Sequence, residues 1–422
     1  MRINLKIGFT VLLFTVLISC GTTHKISKEL KAKNETEKYF KGFVLYNPKT
    51  NKEIINYNGS SYFTPASNTK LFAFYTAYRA LGDSIKSLEY FKTKDSLIIK
   101  GTGDPTLLYY GKDSNKVIDF LKTHNTPVYL LNEQIEDEIF GQGWSWDDYP
   151  YYYMPEKSLF PIYGNLVTYN LKSDTLQLRS ILFKNKVSVQ DSIKKTRDFS
   201  KNKFYLESGS NKNYEVPFKT SNEFLVKLLS NEVGSEVTLI PSGKYNFKEY
   251  YSQSKDSVLK QMLVVSDNFI AEQLMLQVGK EVANKYNVNE AINFSLGNYL
   301  PNLPQKPKWV DGSGLSRYNL FSPNDMVYLL RKMYAEIPTQ KLLSYFPVGG
   351  KTGTLKKWFK NEKPFVYAKS GSLSNNYCLS GYLITKKGTL LIFSSMNNHY
   401  IQSTTEVKTS LEKILIEIYE KY

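Results

Sequence analysis

Apolar and polar residues follow different patterns in successive parts of the chain. Two strand-like runs at 42–46 and 53–57 flank the sequence Asn-Pro-Lys-Thr, which predicts a β-hairpin near the amino terminus. The run from Leu71 to Leu81 that follows is almost wholly apolar and stops at Gly82. An apolar run of this length that ends at a glycine predicts a buried helix.

The middle of the chain, residues 89–250, has another pattern. Short β-rich runs such as 96–100 and 203–207 alternate there with aromatic residues and turn signals. This change of texture predicts a β-rich inserted domain. The flanking residues 39–88 and 251–422 would then form one discontinuous α/β domain.

Helical patterns return after residue 255. Ser322 and Pro323, with Asp325 behind them, resemble an N-cap, a proline at the first helical position and an acid at the third. They predict a helix that begins there and runs to about Tyr334. The chain then ends in three predicted strands and a helix, at 365–368, 377–385, 390–395 and 406–419.

The amino terminus has the pattern of an export signal. Arg2 and Lys6 precede an apolar run of about a dozen residues, which is too short to span a bilayer of roughly 30 Å. The run ends in Leu-Ile-Ser-Cys-Gly, which resembles a bacterial lipobox. We therefore expect a signal peptide at 1–19, lipidation of Cys20, and a tether at 20–38 that anchors an exported, periplasmic protein to a bacterial membrane. The alternative is an ordinary signal peptide with an incidental cysteine.

Composition excludes several kinds of chemistry. Two cysteines cannot form a disulfide framework or a thiolate metal cluster. The three histidines, His24, His124 and His399, are too far apart for an HExxH-type metal site. The sequence thus predicts no metal and no cofactor, and a general base other than histidine.

The chain is strongly basic, with 55 Lys plus Arg against 39 Asp plus Glu and a net charge of +16. Its lysines occur in short groups without an arginine-rich helix or an aromatic RNA-binding pattern, so no nucleic-acid partner is expected. A solvated lysine-rich surface explains the charge most simply. Long-range attraction to an anionic cell wall or membrane is the alternative.

Ser67 and Lys70 form a Ser-x-x-Lys motif at the start of the first apolar helix. Residues three apart on a helix share a face, so the amine can reach the hydroxyl. A desolvated lysine with a lowered pKa can activate a serine, and a helix amino terminus directs N–H groups at developing negative charge. The motif alone is weak, because it recurs at Ser192, Ser200, Ser252, Ser257 and Ser410.

A second candidate, Ser266-Asp267-Asn268, lies between an apolar run and a helical stretch, so a tight turn between two helices is expected. Such a turn can direct the Ser266 hydroxyl and the Asn268 amide into one cleft. The simpler interpretation is a helix N-cap, in which Ser266 or Asp267 satisfies free backbone N–H groups.

The third candidate is Lys369-Ser370-Gly371-Ser372, at the end of a strand-like run. A cation and a hydroxyl on a strand can hold a carboxylate, glycine allows close approach of a peptide, and the Ser372 N–H can join an oxyanion hole.

A rival segment, Lys351-Thr-Gly-Thr354, has the same Lys-[Ser/Thr]-Gly pattern. It follows two glycines and leads into a lysine-rich stretch, which indicates a loop. The run around Lys369 continues into two further strands, as expected of an inner strand of a sheet. We therefore favour Lys369.

In this order the three motifs resemble those of class A β-lactamases and penicillin-binding proteins. The long separation of Ser67 and Ser266 is similar to that of the D-alanyl-D-alanine carboxypeptidase/endopeptidase family, the low-molecular-mass class C penicillin-binding proteins. Segments 101–107, 141–148 and 311–316 and the pair Gly381-Tyr382 also match that family, so the resemblance spans the chain from about residue 40.

The resemblance implies a penicillin-binding, serine β-lactamase-like domain: an antiparallel sheet flanked by helices and interrupted by the insertion. It implies that Ser67 is acylated by the penultimate D-Ala of a peptidoglycan stem peptide, with Lys70 as general base. Ser266 and Asn268 would complete the proton relay and position the substrate. Penicillins would be covalent inhibitors.

The remaining roles follow in the same way. Lys369 and Ser370 would hold the terminal carboxylate, Gly371 would allow close approach, and the N–H groups of Ser67 and Ser372 would form the oxyanion hole. An acid of the Trp-x-Trp-Asp-Asp segment meets the free amine of the stem peptide in this family. Asp147 or Asp148 would inherit that role, although both could simply order the loop.

Two departures from the family pattern stand out. Ser370 replaces the usual threonine and keeps its hydroxyl, and the insertion of about 160 residues is short for the family. A non-catalytic wall-binding lipoprotein on the same fold, a β-lactamase and an esterase remain alternatives, and the balance of carboxypeptidase and endopeptidase action stays open.

Overall fold

The computed structural model describes residues 25–26, 28, 38–111, 114–173 and 175–422. The predicted signal peptide at 1–19, the lipidation site Cys20 and most of the tether at 20–38 lie outside the described residues. No helix within these described ranges has both the length and the apolar character needed to cross a membrane.

The described residues form both strands and helices. The strands are β1 (Phe40–Asn47), β2 (Lys52–Tyr57), β3 (Ser84–Lys92), β4 (Leu97–Gly101), β5 (Val128–Leu131), β6 (Leu166–Lys172), β7 (Thr175–Leu178), β8 (Val187–Gln190), β9 (Phe204–Glu207), β10 (Tyr214–Pro217), β11 (Val237–Ile240), β12 (Lys248–Ser254), β13 (Val366–Leu373), β14 (Asn376–Ile384) and β15 (Leu390–Asn398). The α-helices are α1 (Lys70–Ala80), α2 (Lys116–Lys122), α3 (Asn222–Val233), α4 (Lys255–Val264), α5 (Asn268–Ala283), α6 (Val288–Phe294), α7 (Pro323–Glu336), α8 (Thr339–Ser344) and α9 (Thr404–Lys421).

An antiparallel sheet in the order β13-β14-β15-β1-β2 unites the two ends of the chain. Strand side chains alternate between the two faces. On one face Phe43 and Leu45 pack with Leu411 and Leu415 of α9. On the other face the sheet packs against α1, α5 and α7. The result is a sheet between helices, the fold class predicted from the sequence.

Local signals place the helices that carry the site. The predicted hairpin forms between β1 and β2. The predicted capping at Ser322 is also confirmed: its hydroxyl accepts from the Asp325 N–H, the Asp325 carboxylate accepts from the Ser322 N–H, and α7 runs to Glu336. Helix α1 is buried along most of its length, because its residues are apolar on all sides.

The insertion is built on a second sheet, in the order β11-β5-β4-β3-β12, with smaller sheets β10-β6-β7 and β8-β9 beside it. It has its own apolar core, which includes Leu97 and Ile99 of β4 together with Leu228 of α3. The chain enters on β3 and leaves on β12, and these strands pair from Ser84 and Ser254 onward. Both crossings into the insertion therefore lie side by side, next to α4.

One expectation about the sheet is wrong. Lys369 was expected on an inner strand, but its strand β13 is the outermost strand of the central sheet. Its other edge pairs with no strand among the described residues, and residues 347–349 cover part of it through a bridge between Val348 and Tyr367. A free strand edge exposes backbone N–H and C=O groups to which an extended peptide can bind.

Candidate active site

The three motifs meet in one cleft of about 690 Å³ between the central sheet and the insertion. Ser67 comes from the turn before α1, Ser266 and Asn268 from the junction of α4 and α5, and Ser370 and Ser372 from β13. Residues more than 300 positions apart are thus brought together by the sheet and the helices on it. The insertion contributes Asp147, Asp148 and neighbouring tyrosines to the wall.

Ser67 lies in a 3-10 turn, Ala66–Thr69, that leads directly into α1. The turn and the helix put Lys70 one turn beyond Ser67, and its Nζ lies 3.0 Å from Ser67 Oγ. Lys70 Nζ also donates to Asn268 Oδ1 at 2.5 Å and to the Ser313 carbonyl at 2.6 Å. A neutral amine has two N–H groups and one lone pair. Two pure acceptors thus take the N–H groups and leave the lone pair for the Ser67 proton.

The surroundings of Lys70 favour the neutral amine. The side chain is fully buried, and this desolvation lowers the pKa of Lys70 to about 8, although Asp311, Asp267 and Glu272 oppose the shift. A base with a pKa near the working pH combines a useful neutral fraction with sufficient basicity. Lys70 therefore has the placement and the acidity of a general base for Ser67.

The Ser266-Asp267-Asn268 turn divides its side chains between structure and chemistry. Ser266 has a backbone φ of 64° and sends its hydroxyl to Lys369, whose Nζ lies 2.8 Å away. Asp267 caps α5 by accepting from the Ile270 N–H at 3.0 Å, and it also accepts from the Tyr109 hydroxyl at 2.7 Å. The N-cap interpretation therefore fits Asp267, whereas Ser266 and Asn268 contact the two cleft lysines.

Lys369 is a second buried amine in the cleft. Its Nζ donates to Ser266 Oγ and, at 2.6 Å, to the Ser370 carbonyl. Burial and the nearby Lys70 lower the pKa of Lys369 well below its usual value. An ammonium has three N–H groups, and these contacts use two of them, so a third is left for an incoming carboxylate. Such a carboxylate would stabilise the charged form.

Two glycines allow the backbone to come close to Ser67. A Cβ on Gly371 would lie 2.5 Å from the Pro65 carbonyl oxygen and 2.9 Å from the Ser67 nitrogen. Gly314 has a φ of 79°, and a Cβ there would collide with the Ala66 carbonyl. Only glycine at position 371 lets β13 approach the Ser67 turn this closely. Ser67 and Ser372 both line the cleft, as the proposed oxyanion hole requires.

Both acids of the Trp-x-Trp-Asp-Asp segment line the cleft, in and beside the 3-10 turn Trp146–Asp148. Asp147 accepts from the Ser145 hydroxyl at 2.7 Å, and Asp148 accepts from the Tyr153 hydroxyl at 2.7 Å. Each carboxylate thus supports its own loop and also faces the cleft. Asp147 and Asp148 can therefore both order the loop and meet a substrate in the cleft.

Sequence reasoning missed a buried support for Lys70. Glu272 follows Asn268 by one helical turn, and its carboxylate accepts from the N–H groups of Gly312 and Ser313. Those bonds hold the Ser313 carbonyl against Lys70. Burial and the nearby Asp311 raise the pKa of Glu272 to about 7. The sequence does show that Glu272 lies one helical turn after Asn268 and so on the same face of α5. It does not show that the Ser313 carbonyl contacts Lys70, because any residue type supplies a backbone carbonyl.

The candidate site shows no metal-binding pattern. Among the residues that the structure describes, no cluster of three or more histidine, cysteine, aspartate or glutamate side chains could hold a metal ion. The chemistry of the cleft rests on hydroxyls, amines, an amide and backbone N–H groups.

Two proteins with similar sequences are carboxypeptidases by name. The chain is 24% identical over 426 residues to the D-alanyl-D-alanine carboxypeptidase DacB of Haemophilus influenzae, and the match covers 87% of each chain. It is 23% identical over 456 residues to a penicillin-sensitive carboxypeptidase A of Dictyostelium discoideum, with 88% of this chain and 85% of the relative covered.

Solved structures give the same fold. Penicillin binding protein 4 of Haemophilus influenzae superposes with a TM-score of 0.72 at 20% identity, over 90% of this chain and 94% of that one. The endopeptidase Bd3459 of Bdellovibrio bacteriovorus superposes with a TM-score of 0.52 at 14% identity, over 89% and 92%. A sequence model of one peptidase family matches residues 22–207 and 230–418, which is most of the chain. The chain belongs to the D-Ala-D-Ala carboxypeptidase 3 (S13) family.

Proposed function

We propose that this S13-family serine carboxypeptidase acts on peptidoglycan stem peptides that end in D-Ala-D-Ala, through an acyl-enzyme on Ser67. The observation that carries the proposal is the contact between Ser67 Oγ and the buried Lys70 amine. The pKa of Lys70, lowered to about 8, suits proton removal from a hydroxyl. The second buried amine, Lys369, lies across the same cleft.

In the first step Lys70 takes the Ser67 proton while Oγ attacks the carbonyl carbon of the penultimate D-Ala. The negative charge that develops on the carbonyl oxygen is stabilised by the N–H groups of Ser67 and Ser372. The C–N bond then breaks, and the leaving amine takes up the proton that Lys70 removed from Ser67. The family resemblance assigns Ser266, whose hydroxyl contacts Lys369, to this proton relay. Water hydrolyses the ester on Ser67 and restores the enzyme.

The carboxylate of the terminal residue is held by the donors of β13. The remaining N–H of Lys369 and the Ser370 hydroxyl supply the donors. Binding of the carboxylate favours the charged form of Lys369, whose proximity in turn disfavours a charge on Lys70. Substrate binding therefore helps to keep the base neutral.

Carboxypeptidase and endopeptidase reactions share this acyl group and differ in the amine that leaves. A D-Ala leaves in the first, and a cross-linked stem peptide leaves in the second. The test is to digest purified monomeric and dimeric muropeptides with the protein lacking residues 1–19 and to identify the products by mass. Released D-Ala or split dimers support the proposal, and intact muropeptides would contradict it.

β-Lactams are proposed as covalent inhibitors that acylate Ser67. Among the solved structures with this fold, Bd3459 was obtained as a penicillin G acylated form and the Haemophilus influenzae protein in complex with a β-lactam. A β-lactam combines a strained carbonyl, which Ser67 can attack, with a nearby carboxylate, which Lys369 and Ser370 can bind. The same cleft can therefore bind both kinds of molecule.

The acylation rate is expected to rise with pH up to about 8. The neutral Lys70 amine is the base, and burial lowers its pKa from 10.5 to about 8. Below that value each pH unit changes the neutral fraction about tenfold, so kcat/KM should rise about tenfold from pH 6 to 7 and then level off above 8. Penicillin acylation measured by stopped flow from pH 5.5 to 9.5 checks this. A flat profile, or a rise that continues without levelling off to the end of this range, would contradict a desolvated lysine base.

Asp148 and Asp147 are proposed to bind the free amine of the stem peptide. Both carboxylates face the cleft, and Asp147 is the more exposed. D147N and D148N should each be compared on a stem peptide with a free side-chain amine and on its N-acetylated form. For the acid that binds the amine, we expect kcat/KM to fall about tenfold on the free amine only, as for a charged hydrogen bond. Equal losses on both peptides would instead indicate loop ordering.

We further propose that the protein is an exported lipoprotein, anchored through Cys20. The support is the sequence itself: a short positive region, a short apolar run and a cysteine at the expected cleavage point. Expressed in a bacterium that receives radiolabelled palmitate, the full chain should be labelled and sediment with membranes. C20S should lose the label and become soluble in the periplasm. Label on C20S would contradict the assignment.

A further inference from the structure

The rival segment Lys351-Thr-Gly-Thr354, whose sequence pattern indicates a loop, ends in the active-site cleft. Thr354 lines the cleft together with Ser370, and the two hydroxyl oxygens lie 2.7 Å apart. Thr354 of the Lys351 segment therefore contacts Ser370 of the Lys369 motif. Lys351 itself lies in an exposed turn.

Backbone contacts hold this segment against β13. Val348 bridges to Tyr367, and the Gly349 N–H donates to the Val366 carbonyl at 2.9 Å. The Thr352 hydroxyl then accepts from the Val348 N–H at 3.0 Å and closes the turn. The segment thus follows the free edge of the strand that carries Ser370.

Gly353 fixes where Thr354 lies. It has a φ of 57°, and a Cβ there would lie 2.2 Å from the Val264 carbonyl oxygen, at the end of α4. The loop therefore packs both on the strand that carries Ser370 and on the end of α4, two residues before Ser266. A non-glycine residue at this position would displace Thr354 from the cleft.

A second residue that fixes the side-chain rotamer matters more for Ser370 than it would for a threonine at this position. A β-branched threonine is restricted at χ1, whereas serine can place its hydroxyl in three staggered positions. The hydrogen bond to Thr354 selects one of them. An accepting group that can also donate is required, because Ser370 must turn its own proton to a bound carboxylate.

We propose that Thr354 is a positioning residue of the carboxylate subsite, which holds the Ser370 hydroxyl in place for the terminal carboxylate of the substrate. Without substrate, Ser370 donates to Thr354. When a carboxylate binds, Ser370 donates to it and Thr354 donates to Ser370 Oγ, so the chain of hydrogen bonds reverses without any net proton transfer. The inference rests on the proposed function, because it assigns Ser370 to carboxylate binding.

The test compares T354V, which keeps the branched shape without the hydroxyl, with T354S, which keeps the hydroxyl. Each is assayed for acylation by benzylpenicillin and by its methyl ester. Each is also assayed for release of D-Ala from a D-Ala-D-Ala peptide and of D-alaninamide from the C-terminal amide of that peptide. T354V should lose about tenfold in acylation efficiency on the carboxylates and less than about twofold on the ester and amide. T354S should stay within about twofold of wild type on all four compounds.

The double variant S370T/T354V provides the rescue arm. A threonine at 370 restricts its own rotamer, so the double variant should recover to within about threefold of S370T alone on carboxylates. Equal losses of T354V on charged and uncharged compounds, or no loss at all, would overturn the inference, as would the absence of rescue. Failure of the proposed function would be recognised separately. In that case the wild-type protein itself would release no D-Ala, or it would cleave the peptide and its amide equally well.

Discussion

Replacing Ser67 by alanine is expected to abolish both labelling by a fluorescent penicillin and release of D-Ala. Among the cleft serines whose contacts are described, only Ser67 lies within hydrogen-bond distance of the Lys70 amine, at 3.0 Å, so only its oxygen can be activated by that base. Removing the nucleophile of such a constellation removes the covalent step as a whole. Gel fluorescence after incubation with the labelled penicillin measures the effect.

The chain offers a matched control for this variant. Ser192 belongs to another Ser-x-x-Lys sequence, lies exposed in the insertion and is outside the cleft. S192A should label like wild type. Labelling that persists in S67A would show that the nucleophile is a different residue, and a loss in both variants would point to a folding defect.

Replacing Lys70 by methionine is expected to slow penicillin acylation about 10²–10⁴-fold, the contribution of a positioned general base. Methionine has similar length and fills the buried position without a base. The change removes the cost of burying an amine, whose pKa has been lowered to about 8, but leaves the Asn268 and Ser313 oxygens without their donor. These effects oppose each other, so the melting temperature should change little.

Lys255 provides the control for Lys70. It is another buried lysine, and its Nζ donates to the carbonyls of Tyr78 and Leu81, away from the cleft. K255M likewise removes an amine whose burial lowers its pKa and leaves two carbonyls without a donor, so its stability should change as little as that of K70M. It should keep the wild-type acylation rate per folded molecule. K70M with a wild-type acylation rate would contradict the assignment of the base. A loss of rate per folded molecule in K255M as large as in K70M would show that the effect does not depend on the position of Lys70 in the cleft.

Local features of the fold could be predicted because neighbouring residues determine them. The Ser322 capping box, the first hairpin and the contact between Ser67 and Lys70 all depend on residues within a few positions of one another. The order of the three motifs was sufficient to suggest their convergence, but only through resemblance to a family. No spacing rule predicts that the Ser266 hydroxyl meets Lys369 across 103 positions.

The features that could not be predicted depend on packing between distant segments. Strand β13 was expected inside the sheet, since a run followed by two strands does not reveal whether a further strand covers its other edge. Thr354 reaches the cleft because Gly353 packs on the end of α4, which a sequence does not encode as a pattern. Ser313 accepts from Lys70 through its backbone carbonyl, so the identity of its side chain could not predict the contact.

Peptide mapping of the wild-type protein after reaction with benzylpenicillin tests the assembled cleft most directly. The protein lacking residues 1–19 is incubated with the drug, digested, and analysed by fragmentation mass spectrometry. We expect one penicilloyl group per chain, carried by Ser67. An adduct on any other residue, or an unmodified protein after prolonged incubation, would contradict the convergence of the three motifs on Ser67.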